Sequence, residues 1–377
     1  MLSKETNELL TQVGPATPCG ELLRRYWHPV AVAAELTEEK RKKRIRILGE
    51  DLVLFRLPAS GTEDGEERYG LLGEHCSHRH ASLYYGFIDS DGLRCAYHGW
   101  KYDVDGKCLE QPFEKDPEFK KEVCHKAYPV VRLSGLLFTY MGPPEKQPLL
   151  PRWDCLARED WPRKIEVQPV LNCNWLQPME NAVDPSHTRF LHGEMFRRKG
   201  TRDPSYNLRR VDHFYFEVCE WGIRKGRAFA DGEKEPGHFL VFPNMLRHPG
   251  SLHYRIPIDD THTLILRVIR LNSERVERQS SNDLPVDYAF TKSEDGEFHM
   301  ETFPSQDAMA WETQGSVYDR TREMLGESDR GITLYRKMLI DQIRVVQQGG
   351  EPMALVRDGA DNKIIEFVTT EWRGGEE

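Results

Sequence analysis

A chain of 377 residues suits two domains better than one. With 38% hydrophobic and 30% charged residues, and 8 Trp, 14 Tyr and 16 Phe, it has the material for a sizeable core, which excludes general disorder. A net charge of −9 excludes the electrostatic footprint of a nucleic-acid binder.

The opening Met1 to Asn7 has no apolar region of the signal-peptide kind, and no stretch reaches the ~18 apolar residues of a membrane span. A cytoplasmic, reducing setting away from the membrane is therefore expected, with Cys19, Cys108, Cys124, Cys155, Cys173 and Cys219 mostly buried thiols. An N-terminal segment, 1–39, mixes helical text from Leu9 with breaks at Gly14-Pro15 and Gly20, and leads through Tyr26-Trp27-His28-Pro29 into the next unit. The basic run Lys40 to Arg46 precedes strand text and is expected to be a solvated edge. From 40 to 150 short strands and turns follow one another: Arg46-Ile47-Leu48 and Leu52 to Phe55 around Gly49, a polar hairpin tip from Gly61 to Glu67, and Leu93 to Tyr97. The turn Asp105-Gly106, Val130-Val131 and Leu136-Leu137-Phe138 complete the run. Few helical periods occur there, so this is read as an all-β unit ending at the prolines 143–151.

In the rest, 151–377, Ile165-Glu166-Val167 reads as a strand, Leu176 to Leu191 as helical, and Phe214 to Leu271 as strand-rich. Ser305 to Leu325 and Ser328 to Gln348 read as closing helices stopped by Gly326 and Gly349. The fold class is α+β, with an all-β domain followed by an antiparallel sheet covered by helices.

Two groups of residues carry chemistry. Cys76-Ser77-His78 is followed after sixteen residues by Cys95-Ala96-Tyr97-His98-Gly99-Trp100. Two Cys–His arms separated by a loop can enclose a metal centre, and Gly99 suits a tight turn of positive φ. A structural zinc site is the rival reading, although zinc fingers order their arms Cys–Cys then His–His. Further along, His187 and His192 follow Asp184-Pro185. Five residues on a regular helix turn two side chains about 140° apart. A break at Pro185, with Asp184 capping a new turn, is expected to let the imidazoles converge.

The first group resembles the Rieske [2Fe–2S] motif, and the second resembles the Glu-x-x-x-Asp-x-x-His-x-x-x-x-His motif of Rieske non-haem iron oxygenases. The resemblance implies that Cys76 and Cys95 hold one iron of the cluster and His78 and His98 the other. It implies that His187 and His192 hold a mononuclear Fe(II), with Asp307, in Gln306-Asp307-Ala308-Met309-Ala310-Trp311-Glu312, as the third ligand of a two-His-one-carboxylate triad. Asp319, Asp329 and Asp341 are competitors better read as solvated positions. Asp184 is implied to bond a ligand histidine and to bridge electrons to it from a neighbouring subunit, its plainer role being a helix cap. His28, His75 and His80 match no motif position.

The chain looks most like the terminal oxygenase of the phthalate-dioxygenase-like group. That likeness implies O₂ as co-substrate, a head-to-tail homotrimer, and hydroxylation or O-demethylation of an aromatic, acidic compound. Among the 29 glycines no Gly-x-Gly occurs, so electrons are expected from a separate NADH-linked reductase, directly or through a ferredoxin. The basic stretch Arg197, Arg198, Lys199 and Arg202 is a candidate for holding a substrate carboxylate, against a solvated loop. The alternative function is a Rieske electron carrier without oxygenase activity, which would have no use for His187, His192 and Asp307.

Overall fold

A computed structural model describes residues 1–58, 67–235, 237–271 and 284–367. The hairpin tip expected at Gly61 to Glu67 lies, except for Glu67, outside the described residues. Two compact units emerge, Arg24–Gln147 and Met1–Leu23 with Pro148–Glu377. Residues 1–23 thus belong to the larger unit, which corrects the reading of 1–39 as one lead-in to the β unit. Local bonds explain why: Val13 donates its amide to Asp260 Oδ1 at 2.8 Å, and Asn174 donates to Thr11 O at 2.8 Å. No helix among the described residues is long and apolar enough to cross a membrane.

Among the described residues, the smaller unit has three antiparallel sheets. One joins Trp27–Val32, Leu136–Tyr140 and Val130–Leu133; a second joins Lys42–Ile47, Glu50–Arg56, Tyr69–Gly73 and Ala127–Tyr128; the third is made of four short strands between Phe87 and Glu110. Alternation along Lys42–Ile47 buries Ile45 and Ile47 while Arg44 and Arg46 face solvent, so the basic run is an edge strand. Val53, Phe55, Leu72, Leu83, Leu93, Trp100 and Tyr102 form the core, with Cys76 and Cys95 buried among them.

The larger unit carries an eight-stranded sheet in the order Val211–Cys219, Gly222–Phe229, His238–Val241, Met245–His248, Ser251–Pro257, Thr263–Arg270, Arg163–Val167 and Val286–Tyr288. Every pairing is antiparallel except the last. Its register sets Lys225 opposite His238, His253 opposite Arg267 and Arg255 opposite Ile265. Because strand side chains alternate, Lys225 and Arg227, His253 and Arg255, and Ile265 and Arg267 share one face.

Helices cover that sheet. Arg330–Gln347 buries Tyr335, Met338, Leu339, Ile343 and Val346, a 3.6-residue stripe, and Tyr335 donates its hydroxyl to Pro243 O at 2.7 Å. Gly331 lets this helix abut the segment before Asp184, since a Cβ there would lie 2.4 Å from Val183 O. The helix expected from Ser305 to Leu325 is shorter, running Phe303–Glu312. Gln177 ends it by donating to Trp311 O and Gly315 O at 2.8 and 2.9 Å, taking carbonyls that further turns would use. Gly326 is no stop either: its amide donates to Asp329 Oδ2 at 2.7 Å and opens the next turn, whereas Gly349, at φ +79°, does follow the last helix.

Candidate metal centres

Cys76 and Cys95 occupy equivalent places in two equivalent turns. In each, the cysteine carbonyl accepts from the amide four residues on, His80 at 2.9 Å and Gly99 at 3.0 Å. Each cysteine amide donates to the carbonyl five residues on, Ala81 at 2.9 Å and Trp100 at 2.8 Å. The fourth residue is left-handed in both, φ +58° at His80 and +74° at Gly99, the conformation expected of the glycine. The turns bring the His78 and His98 rings together edge to face with centroids 4.6 Å apart, and Trp100 stacks on His78.

The donor set fits a metal group. Both thiols are buried, and His78 Nδ1 is buried with no hydrogen-bond partner. Burial pushes the Cys76 thiol up, although the Tyr102 hydroxyl, 3.2 Å from its sulfur, favours the thiolate. Among the described residues, only His187, His192 and Asp307 bring three such donor atoms within 4.8 Å of one another. Two buried thiols beside two facing imidazoles suit a cluster of two metal atoms, one held by sulfur and one by nitrogen. His75 and His80 stack on each other with centroids 6.2 Å apart, and His28 is packed in the core.

In the larger unit, helix Leu176–Ala182 stops, and a π-helical turn runs over Thr188–Glu194 with His187 at its N-cap. Hydrogen bonds from i to i+5 bring residues five apart onto one side, so widened winding, rather than the break at Pro185 alone, makes the imidazoles converge. Asp184 does not cap a helix in the expected way. Its Oδ1 accepts from the Ser186 amide at 2.7 Å and hydroxyl at 2.5 Å, leaving Oδ2 3.4 Å from His187 Nδ1. Burial raises the Asp184 carboxyl, but His187 and Ser186 outweigh it and hold it at about 2.

Asp307 lies in the second turn of helix Phe303–Glu312. Its Oδ1 is 3.5 Å from His192 Nε2 and 4.0 Å from His187 Nε2, and it is buried without a hydrogen-bond partner. Two imidazole nitrogens and an unsatisfied carboxylate oxygen around one point fit a divalent iron, with room left on the cavity side. Asp319, Asp329 and Asp341 are engaged elsewhere, with Thr321, Gly326 and Lys337. Sequence reasoning gave no role to Gln306, whose Oε1 lies 2.7 Å from His192 Nδ1.

A cavity of about 450 Å³ opens onto the three ligands. Its opposite wall is the sheet face carrying Lys225, Arg227, His238, His248, His253, Arg255 and Arg267. Burial pushes His238 down to about 4 and His248 and His253 well below the usual imidazole value, so this row is neutral. Burial likewise brings Lys225 down to about 8. Arg227 is held by Glu235 at 2.7 and 3.1 Å, and Arg267 by Glu166 at 3.0 Å. Of the basic stretch after His192, only Arg202 lines the cavity; Arg197 and Arg198 pair with Glu194, and Lys199 with Glu301. The wall was missed because cations at alternate strand positions, such as 225 and 227, look like solvated strand text until the face they share is known.

The chain is similar to known proteins over nearly its whole length. Residues 26–129 match the family model described as the Rieske [2Fe-2S] domain, and 271–373 match that described as LigXa C-terminal domain like. The chain is 38% identical to the 5,5'-dehydrodivanillate O-demethylase oxygenase subunit of a Sphingobium species, covering 98% of this chain and 87% of that protein. It is 38% identical to the phenoxybenzoate dioxygenase subunit alpha of Ectopseudomonas oleovorans (93% and 88% covered). It is 30% identical to the phthalate 4,5-dioxygenase oxygenase subunit of Pseudomonas putida (97% and 92%). Among solved structures, NdmA of Pseudomonas putida CBB5 shares the fold with a TM-score of 0.63 at 20% identity, over 88% of this chain and 94% of that one.

Proposed function

This chain belongs to the Rieske non-haem iron oxygenases, and we propose that it hydroxylates or O-demethylates an aromatic acid at the site formed by His187, His192 and Asp307. It is an oxygenase component that carries a Rieske [2Fe–2S] cluster and a mononuclear iron and uses O₂. In our reading Cys76 and Cys95 hold one iron of the cluster and His78 and His98 the other. His187, His192 and Asp307 hold the mononuclear iron. When bound, that iron supplies the positions at which O₂ is activated beside the substrate.

The residues of the chain do the rest. Gln306 fixes which nitrogen of His192 carries the proton, and Asp184 faces the corresponding nitrogen of His187. The floor of neutral imidazoles and cations orients the substrate and keeps bulk water from it. Electrons come from a separate reductase or ferredoxin, since no Gly-x-Gly is present. A head-to-tail homotrimer, with Asp184 at the crossing point to the neighbour's cluster, completes the proposal. The names of the relatives, dehydrodivanillate, phenoxybenzoate and phthalate, support an acidic aromatic substrate.

The observation that carries the reading is the meeting of Asp307 Oδ1 with two imidazole Nε2 atoms at the cavity wall. A pure electron carrier has no need of it. The test is O₂ uptake and product formation with a surrogate reductase on a panel of benzoates and methoxybenzoates. Asp307→Ala is expected to keep the visible Rieske absorption while losing mononuclear iron and turnover. Retained turnover in that variant would place the third ligand elsewhere.

A further inference from the structure

Among the described residues, one cation of the cavity has buried hydrogen-bond donors that no protein group meets. Arg255 is 2% exposed on strand Ser251–Pro257, and its Nε and Nη1 are buried without a hydrogen-bond partner. The other guanidiniums are occupied: Arg227 by Glu235, Arg267 by Glu166, and Arg202 over the ring of Phe303 at 4.9 Å. Lys225 has the charges of Glu235 and Asp184 close by. Asp307 also acts on Arg255 through space, but it lies with the two histidine ligands.

A second orphan donor stands beside it. The Trp311 ring centroid is 5.7 Å from the Arg255 guanidinium carbon, and the buried Trp311 Nε1 also lacks a partner. Both residues line the cavity. Unfilled N–H donors on a buried guanidinium and an indole call for a ligand group that only accepts hydrogen bonds and carries negative charge. A carboxylate answers both needs. We propose that Arg255, assisted by Trp311 Nε1, is the subsite that binds the carboxylate of the substrate; this rests on reading the site as an aromatic-acid oxygenase.

The position also sets a distance. Trp311 follows Asp307 by four residues on one helix, a rise of about 6 Å and one turn along the same face. A single substituted ring anchored near Trp311 therefore extends its far side toward the metal ligands. The assignment selects aromatic acids whose reacting substituent lies across the ring from the carboxylate.

The test is calorimetric binding of 4-methoxybenzoate and its neutral isostere 4-methoxybenzamide to the holoenzyme. The wild type is expected to bind the acid about 30-fold or more tightly than the amide. Arg255→Gln should erase that preference, Arg255→Lys should restore part of it, and Trp311→Phe should reduce it about threefold to tenfold. Far-ultraviolet circular dichroism and a cooperative urea transition verify that each variant is folded, and should Arg255→Gln not fold, Trp311→Phe and the acid-to-amide ratio of the wild type still decide. Equal affinity for acid and amide, no binding of either, or a preference that survives Arg255→Gln overturns the proposal. Turnover of neutral methoxyarenes with acids rejected would overturn it and leave the oxygenase reading intact. A protein that binds the acid with this preference yet consumes no O₂ with any substrate would do the reverse.

Discussion

His192 and Gln306 form a hydrogen bond that decides which imidazole nitrogen is free for metal. His192 Nδ1 donates to Gln306 Oε1 at 2.7 Å, and the glutamine is held in that orientation because its Nε2 donates to Met300 O at 2.9 Å. The lone pair is then on Nε2, the atom that faces Asp307 Oδ1 at 3.5 Å. Gln306→Leu removes the acceptor. It is expected to weaken retention of mononuclear iron by about 10- to 100-fold. Metal analysis after dialysis against a chelator measures the loss, and the Rieske absorption should not change.

Asp184→Asn tests the other imidazole. Ser186 holds Oδ1, so the amide nitrogen would replace Oδ2 and present a donor to His187 Nδ1. The variant should keep both metal groups but slow single-turnover oxidation on the order of 10- to 100-fold. Normal single-turnover rates would remove Asp184 from the path of electrons.

Glu180, on the helix leading to Asp184, is the centre of a buried charge network. It accepts from Arg320 at 2.7 and 2.8 Å and from Arg336 at 2.6 Å, while Arg336 also grips Glu323 at 2.6 and 2.8 Å. Arg336→Met would strand part of that negative charge away from water. The expected cost is about 3–5 kcal/mol, read as a lower denaturation midpoint in urea.

Glu235 makes stability depend on acid. Burial raises its carboxyl, but Arg227, Lys225 and His238, which itself takes up a proton only near pH 4, outweigh it and hold it at about 2, against an ordinary 4.5. Tyr206 also donates to it at 3.2 Å. A depressed carboxyl contributes stability that is fully present above pH 4.5 and is lost as pH falls toward 2. Glu235→Gln should therefore be less stable than the wild type at pH 7, by on the order of 3 kcal/mol. The gap should close between pH 4.5 and 2 in urea titrations at fixed pH. A gap constant across that range would mean that the ion pair contributes nothing through its charge.

Much of this is legible in the sequence. The two Cys–His turns close within five residues each, so composition and spacing suffice to recognise them. The strand-rich character of both units followed from alternation, as did the amphipathic last helix. The helix after Phe303 was read too long because its end depends on Gln177, a side chain distant in the chain. The two histidines of the second site were legible as residues but not as a geometry, because π-helical winding has no local sequence signature comparable to proline or glycine.

By itself, then, the sequence offered the candidate donors: two thiols and two imidazoles in paired arms, and two imidazoles five residues apart, with the distant Asp307 added by the family resemblance. Ligand chemistry resides in residue types at short spacing, and short spacing survives in a one-dimensional text. Only the tertiary structure decided which nitrogen of His192 is free, and which cation lining the cavity has buried donors without a partner among the described residues. Both depend on strand register and on contacts between residues far apart in the chain, where a shift of one residue would turn Arg255 to the other face and close the question differently.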